Sequence, residues 1–228
     1  MDEAKGSSMF SAIIFDCDGV LVNSESIHVA LELEHLAALG LTYERSEYVH
    51  RVKGRSWPDF LSVLSKDHHA AFGTPLPEHF SGALSNAVWD AFETRLAAME
   101  GAANLLSGIS RPLAVASSSG HRALRAKLEM TALLDFFDPH VVSSDHVEKA
   151  KPAPDIFLHA AEKLGVAPER CLVIEDSVNG VLGARAAGMT AWGYTGDAEG
   201  EADLPARLRE AGAVDVFAHH DEIRQRLG

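Results

Sequence analysis

Several things are scarce in this sequence, and each shortage excludes a class of protein. There are two cysteines in 228 residues, Cys17 and Cys171. They make neither a disulfide framework nor a metal-ligand spacing, and they suit a reducing cytoplasm. No stretch of 18 apolar residues occurs and no signal-peptide pattern opens the chain, so no membrane partner is expected. Positive charge is also short, with 20 Lys and Arg against 33 Asp and Glu and a formal net charge of −13. That balance argues against non-specific binding to nucleic acid or to anionic membranes. It leaves anionic small ligands open, because a local site can be positive on an acidic protein. The rest is the composition of an ordinary globule: 46% hydrophobic, 23% charged and 7% aromatic. A chain of this length forms one large domain, or a domain with a smaller one inserted, and a monomer is expected.

The polar, small-residue segment 1–8 reads as a disordered extension or tag remnant and is set aside. Beyond it, short apolar runs recur at Phe10–Phe15, Leu113–Ala116, Val141–Val142, Leu172–Ile174 and Thr190–Tyr194, with a weaker one at Val214–Phe217. Such runs fit strands buried on both faces. Between the later ones lie helical segments that stop at glycine: Asp155–Leu164 before Gly165, Val178–Ala187 before Gly188 and Leu204–Ala211 before Gly212. Glycine just past a helix is the usual left-handed stop. Alternation of this kind predicts an α/β fold, a doubly wound parallel sheet with a Rossmann-like core. The stretch after the first strand departs from it, with helical segments at Ser26–Leu39, Ser56–Leu64 and from Pro77 through Leu96 and no convincing strand. Some seventy residues exceed a simple crossover. The expected division is therefore a core of residues 9–24 and 99–228 with an inserted α-helical cap domain at 25–98.

Ligands of open parallel sheets bind beyond the carboxyl ends of the strands. The residues just past each strand are therefore informative. Asp16 and Asp18 come after the first; Ser117, Ser118 and Ser119 after the second; Lys151-Pro152-Ala153-Pro154-Asp155 lies beyond the third; Glu175, Asp176 and Ser177 come after the fourth. Each loop alone is ordinary turn or capping chemistry. All four at strand ends of one sheet form a site. Carboxylates at about 4 Å repel by roughly 4 kcal/mol per pair at an effective dielectric near 20. A hard cation such as Mg²⁺, which takes one or two carboxylates, waters and a phosphate oxygen, offsets that repulsion. Lysine, hydroxyls and helix-start amides suit a phosphate. With a carboxylate nucleophile, the set makes a phosphoryl-transfer site. The twelve histidines offer no HExxH, and the pairs His68-His69 and His219-His220 lack helix-face spacing, so zinc is not expected.

"DCDGVLVNSE", "ASSS", "KPAPD" and "IEDSVNG" together resemble the four signature motifs of the haloacid dehalogenase-like hydrolases. The likeness is strongest to the branch of β-phosphoglucomutases and sugar-phosphate phosphatases, including the 6-phosphogluconate phosphatase type. It runs from about Met9 to Gly228. The resemblance implies that Asp16 attacks phosphorus and that Asp18 protonates the leaving oxygen and then activates water. It implies that Ser117 and Lys151 bind the phosphoryl group, with Ser118 beside them. It places Mg²⁺ on Asp16, the backbone carbonyl of Asp18 and Asp176, with Glu175 holding a metal-bound water. Dehalogenases of the family lack the second aspartate, so Asp18 favours a phosphate substrate. Mutases carry a cap arginine where Trp57 stands here, with Arg55 nearby, which favours hydrolysis. His28 is kept, and His28, Lys53, Arg55 and Trp57 are the candidate specificity residues of the cap. Asn23 replaces an aspartate frequent in the motif. The expectation is a cytoplasmic, Mg²⁺-dependent phosphatase of a small phosphorylated metabolite; a sugar phosphomutase and a non-catalytic binding protein are the alternatives.

Overall fold

Burial on both faces sets the first strand, β1 (Ala12–Phe15), in which Ile13 and Phe15 join one apolar cluster while Ala12 and Ile14 join another. The computed structural model describes residues 10–52, 57–198 and 201–228. After β1 the chain enters four helices, α1 (Ser24–Ala38), α2 (Arg45–Val52), α3 (Trp57–Phe72) and α4 (Phe80–Arg95). It then alternates through α5 (Ala102–Ser107), β2 (Leu113–Ser117), α6 (His121–Met130), β3 (Val141–Ser143), α7 (Asp155–Leu164), β4 (Cys171–Glu175), α8 (Val178–Ala186), β5 (Thr190–Tyr194), α9 (Leu204–Glu210), β6 (Asp215–Phe217) and α10 (His220–Leu227).

The six strands make one parallel sheet in the order β3-β2-β1-β4-β5-β6, the doubly wound arrangement expected from the alternation. The winding reverses at β1, so the crevice for a ligand opens at the carboxyl ends of β1, β2 and β4. The two faces differ in size. Phe15, Leu172, Ile174, Trp192 and Tyr194 fill one, whereas Ala12, Ala114, Ala116, Val173 and Ala191 line the other. Small residues on that second face let α7 and α8 lie close to the sheet. Burial of each large side chain such as Phe15 or Phe157 contributes about 1.5–3 kcal/mol, and both are fully buried.

Helices α1 to α4 enclose an apolar cluster of their own, with Ile27, Leu36, Tyr48, Leu64, Leu84 and Phe92 among its members. Where the chain leaves and re-enters the sheet layer, its two arms are tied by Asn23. The Asn23 side-chain carbonyl accepts from Ala97 N–H (2.8 Å), and its backbone N–H donates to Ala97 O (3.1 Å). A bridge between Val22 and Ala98 continues the tie. Asn23, whose consequence the motif did not reveal, is thus the clasp of the insertion.

Candidate active site

Asp16 is the first residue beyond β1, yet its N–H still donates to Ile174 O on β4 at 2.9 Å. The sheet therefore fixes its backbone. The chain then turns sharply: Leu21 and Val22 both donate to Cys17 O, and Gly19 adopts φ +77°. A Cβ at Gly19 would stand 2.5 Å from a carboxylate oxygen of Asp176, so glycine is what allows the β1 and β4 loops to approach. Cys17 is buried in the core between the two acids, which face the crevice.

Lys151 reaches this point from the loop before α7. Its ammonium donates to Asp16 Oδ1 (2.5 Å), Glu175 Oε1 (2.5 Å) and Ala116 O (2.9 Å). All three of its donors are used, so its position is fully specified. Glu175 is equally fixed: its second oxygen accepts from the N–H (3.0 Å) and hydroxyl (2.9 Å) of Ser177. Ser177 in turn caps α8 by accepting from Gly180 N–H at 3.0 Å. A Cβ on Gly180 would fall 1.9 Å from the Glu175 carboxylate. Glu175 is thus a buried strut between Lys151 and the start of α8, and Asp176 is the β4-loop acid on the crevice.

Asp18 is held by four donors. Ser24 Oγ (2.5 Å) and Lys127 Nζ donate to Oδ1, while Ser117 Oγ (3.1 Å) and Ser119 Oγ (2.9 Å) donate to Oδ2. Lys127 also donates to Ser119 Oγ at 2.8 Å. This lysine, on α6, was not among the residues singled out in the sequence. Its signal is there: Leu124, Lys127 and Leu128 occupy the i, i+3, i+4 positions of the buried helix face, where a lysine is out of place without a partner.

The electrostatics follow from burial and pairing. Burial pushes the Asp16 carboxyl well above the usual range against the pull of Lys151, and Glu175, Asp176 and Asp18 add repulsion. Burial would also raise Asp18, but the ammonium of Lys127 overrides it and holds that carboxyl well below the usual range. Lys151 and Lys127 lose solvation through burial, and their acidic neighbours more than restore the charged form.

These groups border a cleft of about 270 Å³ between the sheet edge and the inserted helices. Asp16, Asp18, Ser118, Lys151 and Asp176 line its floor. Its roof carries Glu25, His28 and Glu32 from α1 and Trp57 and Phe60 from α3. Trp57 stacks on Phe60 with ring centres 5.1 Å apart.

The family profile of haloacid dehalogenase-like hydrolases matches residues 10–188, which spans every loop that borders the floor. The chain belongs to the haloacid dehalogenase-like hydrolases. It is 30% identical to 6-phosphogluconate phosphatase of Escherichia coli over 190 residues, 83% of this chain and 85% of the relative. It is 31% identical to fructose-1-phosphate phosphatase of the same organism over 182 residues, covering 80% and 95%. A haloacid dehalogenase-like protein of unknown function from Agrobacterium tumefaciens superposes with a TM-score of 0.86 at 33% identity, covering 96% of this chain and 97% of that one. This hydrolase is accordingly a phosphoric monoester hydrolase.

Within the hydrolase, Asp16, Asp18, Ser118, Lys151 and Asp176 converge on the cleft, as do His28 and Trp57 from the helical layer. Ser117 is fully buried beneath them, with its hydroxyl on Asp18 and its oxygen accepting from Ser119 N–H at 3.1 Å. Glu175 stands behind Lys151 and does not border the cleft. Lys53 and Arg55 lie outside the described residues. Glu32 and Tyr48, which the motifs do not contain, are the additions at the roof: Tyr48 donates to Glu32 Oε2 at 3.0 Å.

Proposed function

We propose that this enzyme is a Mg²⁺-dependent phosphatase of a small phosphorylated sugar, sugar acid or polyol, working through an aspartyl phosphate on Asp16. The observation that carries the reading is the floor of the cleft, where an anchored carboxylate, a fixed ammonium and a second, independently held carboxylate meet within one small volume. The donor set fits Mg²⁺. The carboxylates of Asp16 and Asp176 and the backbone carbonyl of Asp18 are hard oxygen ligands, and the glycine at position 19 keeps the β1 and β4 loops close enough to share an ion. No three His, Cys, Asp or Glu side chains form a ready-made cage among the described residues. Mg²⁺ needs none, because it retains waters and takes a phosphate oxygen. When bound, the ion neutralises charge on the transferring phosphoryl group.

The chain's own residues do the rest. A carboxylate oxygen of Asp16 attacks phosphorus and the ester P–O bond breaks, leaving phosphate on Asp16 and an alkoxide that takes a proton from Asp18. Asp18 then removes a proton from water, which attacks the same phosphorus and releases inorganic phosphate, restoring Asp16. In the present arrangement Lys127 holds Asp18 ionised, ready to act as the base. To serve as the acid, the carboxyl must first leave Lys127 and carry a proton, taken from solvent at the start and from the hydrolytic water in each later turnover. Lys151 positions Asp16 and, by exchanging one of its three hydrogen bonds, meets a phosphoryl oxygen. Ser118 and Ser119 line the same floor.

Residues 25–98 act as the cap in this reading and exclude water from the transfer. Its contacts with the core include Ser26 N–H to Asp197 (3.3 Å) and Arg207 to His50 (3.3 Å). Phosphate release from a panel of sugar, sugar-acid and polyol phosphates, with Mg²⁺ and with EDTA, tests the proposal. Release that requires Mg²⁺ and is lost in Asp16→Asn supports it. Full activity in Asp16→Asn, or formation of glucose 6-phosphate rather than free phosphate from β-glucose 1-phosphate with a bisphosphate primer, refutes it.

A further inference from the structure

The roof of the cleft holds a feature that phosphoryl transfer does not use. Glu25, His28, Val29 and Glu32 lie at i, i+3, i+4 and i+7 on α1, one face of the helix, and all four border the cleft. From Glu25 to Glu32 is about 10 Å along the axis, the separation between the two ends of a five- or six-carbon phosphate ester. Glu25 stands at the catalytic end, its Cγ 3.3 Å from where a Cβ on Gly19 would lie, so Glu32 is placed opposite the end of such a molecule remote from phosphorus. Its side chain is buried and only half paired. Oε2 accepts from Tyr48 at 3.0 Å, and Tyr48 is itself fully buried in the helical cluster. No hydrogen bond to Oε1 is made among the described residues, and His28 Nδ1 stands 3.9 Å from it. An acceptor open to the cleft on a side chain that is otherwise buried and held in place is a ready partner for a ligand donor.

We propose that Glu32, set by Tyr48 and flanked by His28, accepts a hydrogen bond from a hydroxyl at the distal end of the substrate, and so selects uncharged sugar or sugar-alcohol monophosphates over sugar-acid phosphates. The inference rests on the phosphatase reading of the same cleft. The charge distribution supports it. Glu32 is the acid at the far end of the roof, and the one lysine among the described lining residues, Lys151, is committed to Asp16 and Glu175. Burial lowers the pKa of His28, which leaves its ring a neutral partner for a hydroxyl rather than a cation for a carboxylate. Above about pH 7, where burial no longer keeps the Glu32 carboxyl protonated, a terminal carboxylate at this place would meet it as a like charge. A hydroxyl meets an acceptor that is already oriented. The selection is a difference between two substrates, made in part by repulsion.

The test compares kcat/KM at pH 8.5, where the Glu32 carboxyl is ionised, for sorbitol 6-phosphate and 6-phosphogluconate in the wild-type chain and in Glu32→Gln, with p-nitrophenyl phosphate as a probe of phosphoryl transfer alone. Glutamine keeps the volume and can still accept from Tyr48, which turns its amide N–H₂ toward the cleft. It therefore replaces an acceptor with a donor. The wild-type enzyme is expected to favour the sugar alcohol at least tenfold, and Glu32→Gln to reduce that ratio at least tenfold, mainly through KM. Tyr48→Phe, which frees the carboxyl and raises its pKa further, is expected to move the ratio the same way by less. A wild-type preference for 6-phosphogluconate, or a ratio within twofold of wild type in Glu32→Gln, overturns the inference. So does turnover of p-nitrophenyl phosphate with neither sugar ester accepted. Absence of turnover on all three substrates instead overturns the phosphatase reading itself.

Discussion

Glu32 also gives the sharpest prediction about stability, through a readout independent of any substrate. Burial raises its carboxyl from an ordinary 4.5 to about 7, with the Tyr48 hydroxyl pulling in the opposite direction. The folded state thus binds a proton that the unfolded state has released, between pH 4.5 and about pH 7. Stability must then fall as pH rises through that window and level off above it. At about 1.4 kcal/mol for each tenfold change, the loss from Glu32 alone reaches about 3 kcal/mol above pH 7. Glutamine at this position cannot ionise and keeps the acceptor for Tyr48. Urea unfolding of wild type and Glu32→Gln, followed by far-UV circular dichroism at pH 5.5 and pH 8.5, isolates the effect, because groups titrating alike in both proteins cancel in the difference. Burial lowers the pKa of His28, the titratable neighbour at 3.9 Å, and so works against its carrying charge beside Glu32. Glu32→Gln should be more stable by about 1.4 kcal/mol at pH 5.5 and by about 3 kcal/mol at pH 8.5, a gap that widens by about 2 kcal/mol. A difference that does not change with pH would refute a buried, proton-binding Glu32.

Lys127→Met leaves Asp18 charged beneath α6 with only serine donors, and should lower unfolding free energy by about 3–5 kcal/mol, read from urea midpoints. Gly180→Ala forces a methyl into the Glu175 carboxylate, and so should displace Lys151; loss of phosphate release together with a drop of more than about 2 kcal/mol in stability is expected, and near-normal behaviour in both assays would contradict the strut. Saturating Mg²⁺ at about 100 times its dissociation constant should raise stability by about 2.7 kcal/mol; calorimetry should show the gain in wild type and a smaller one in Asp176→Ala.

The parallel core was legible because the strands are short apolar runs and α7, α8 and α9 are each followed by glycine. Strand boundaries moved by at most two residues, with β4 gaining Cys171 and Glu175, and the end of α3 moved by more, running on to Phe72 rather than stopping near Leu64. Helices α2 and α10 escaped notice for a physical reason. Arg-Ser-Glu-Tyr-Val-His-Arg-Val has only three apolar residues, and α10 is mostly charged, so neither displays a long apolar stripe. The capping box of His219 and Glu222 that starts α10 lacks the usual serine or threonine. In the site, motif residues at strand ends were readable because topology alone brings them together. Lys127, Glu32 and Tyr48 were not, because each acts from a helix face whose direction depends on tertiary packing. A charged residue at an apolar position of the pattern was the trace that Lys127 and Glu32 left.

The pairing of Lys151 with Asp16 joins residues 135 positions apart. During synthesis at roughly 5–20 residues per second, that interval lasts on the order of ten seconds. Throughout it the strand that carries Asp16 lacks β4, its central neighbour, and the acid lacks its lysine. The helices from Ser24 to Arg95 need nothing made later to close their own apolar cluster. The inserted layer is therefore free to form on the nascent chain while β1 waits. The piece of the protein that looks like an addition to the sheet is the first part able to fold, and the catalytic floor is among the last.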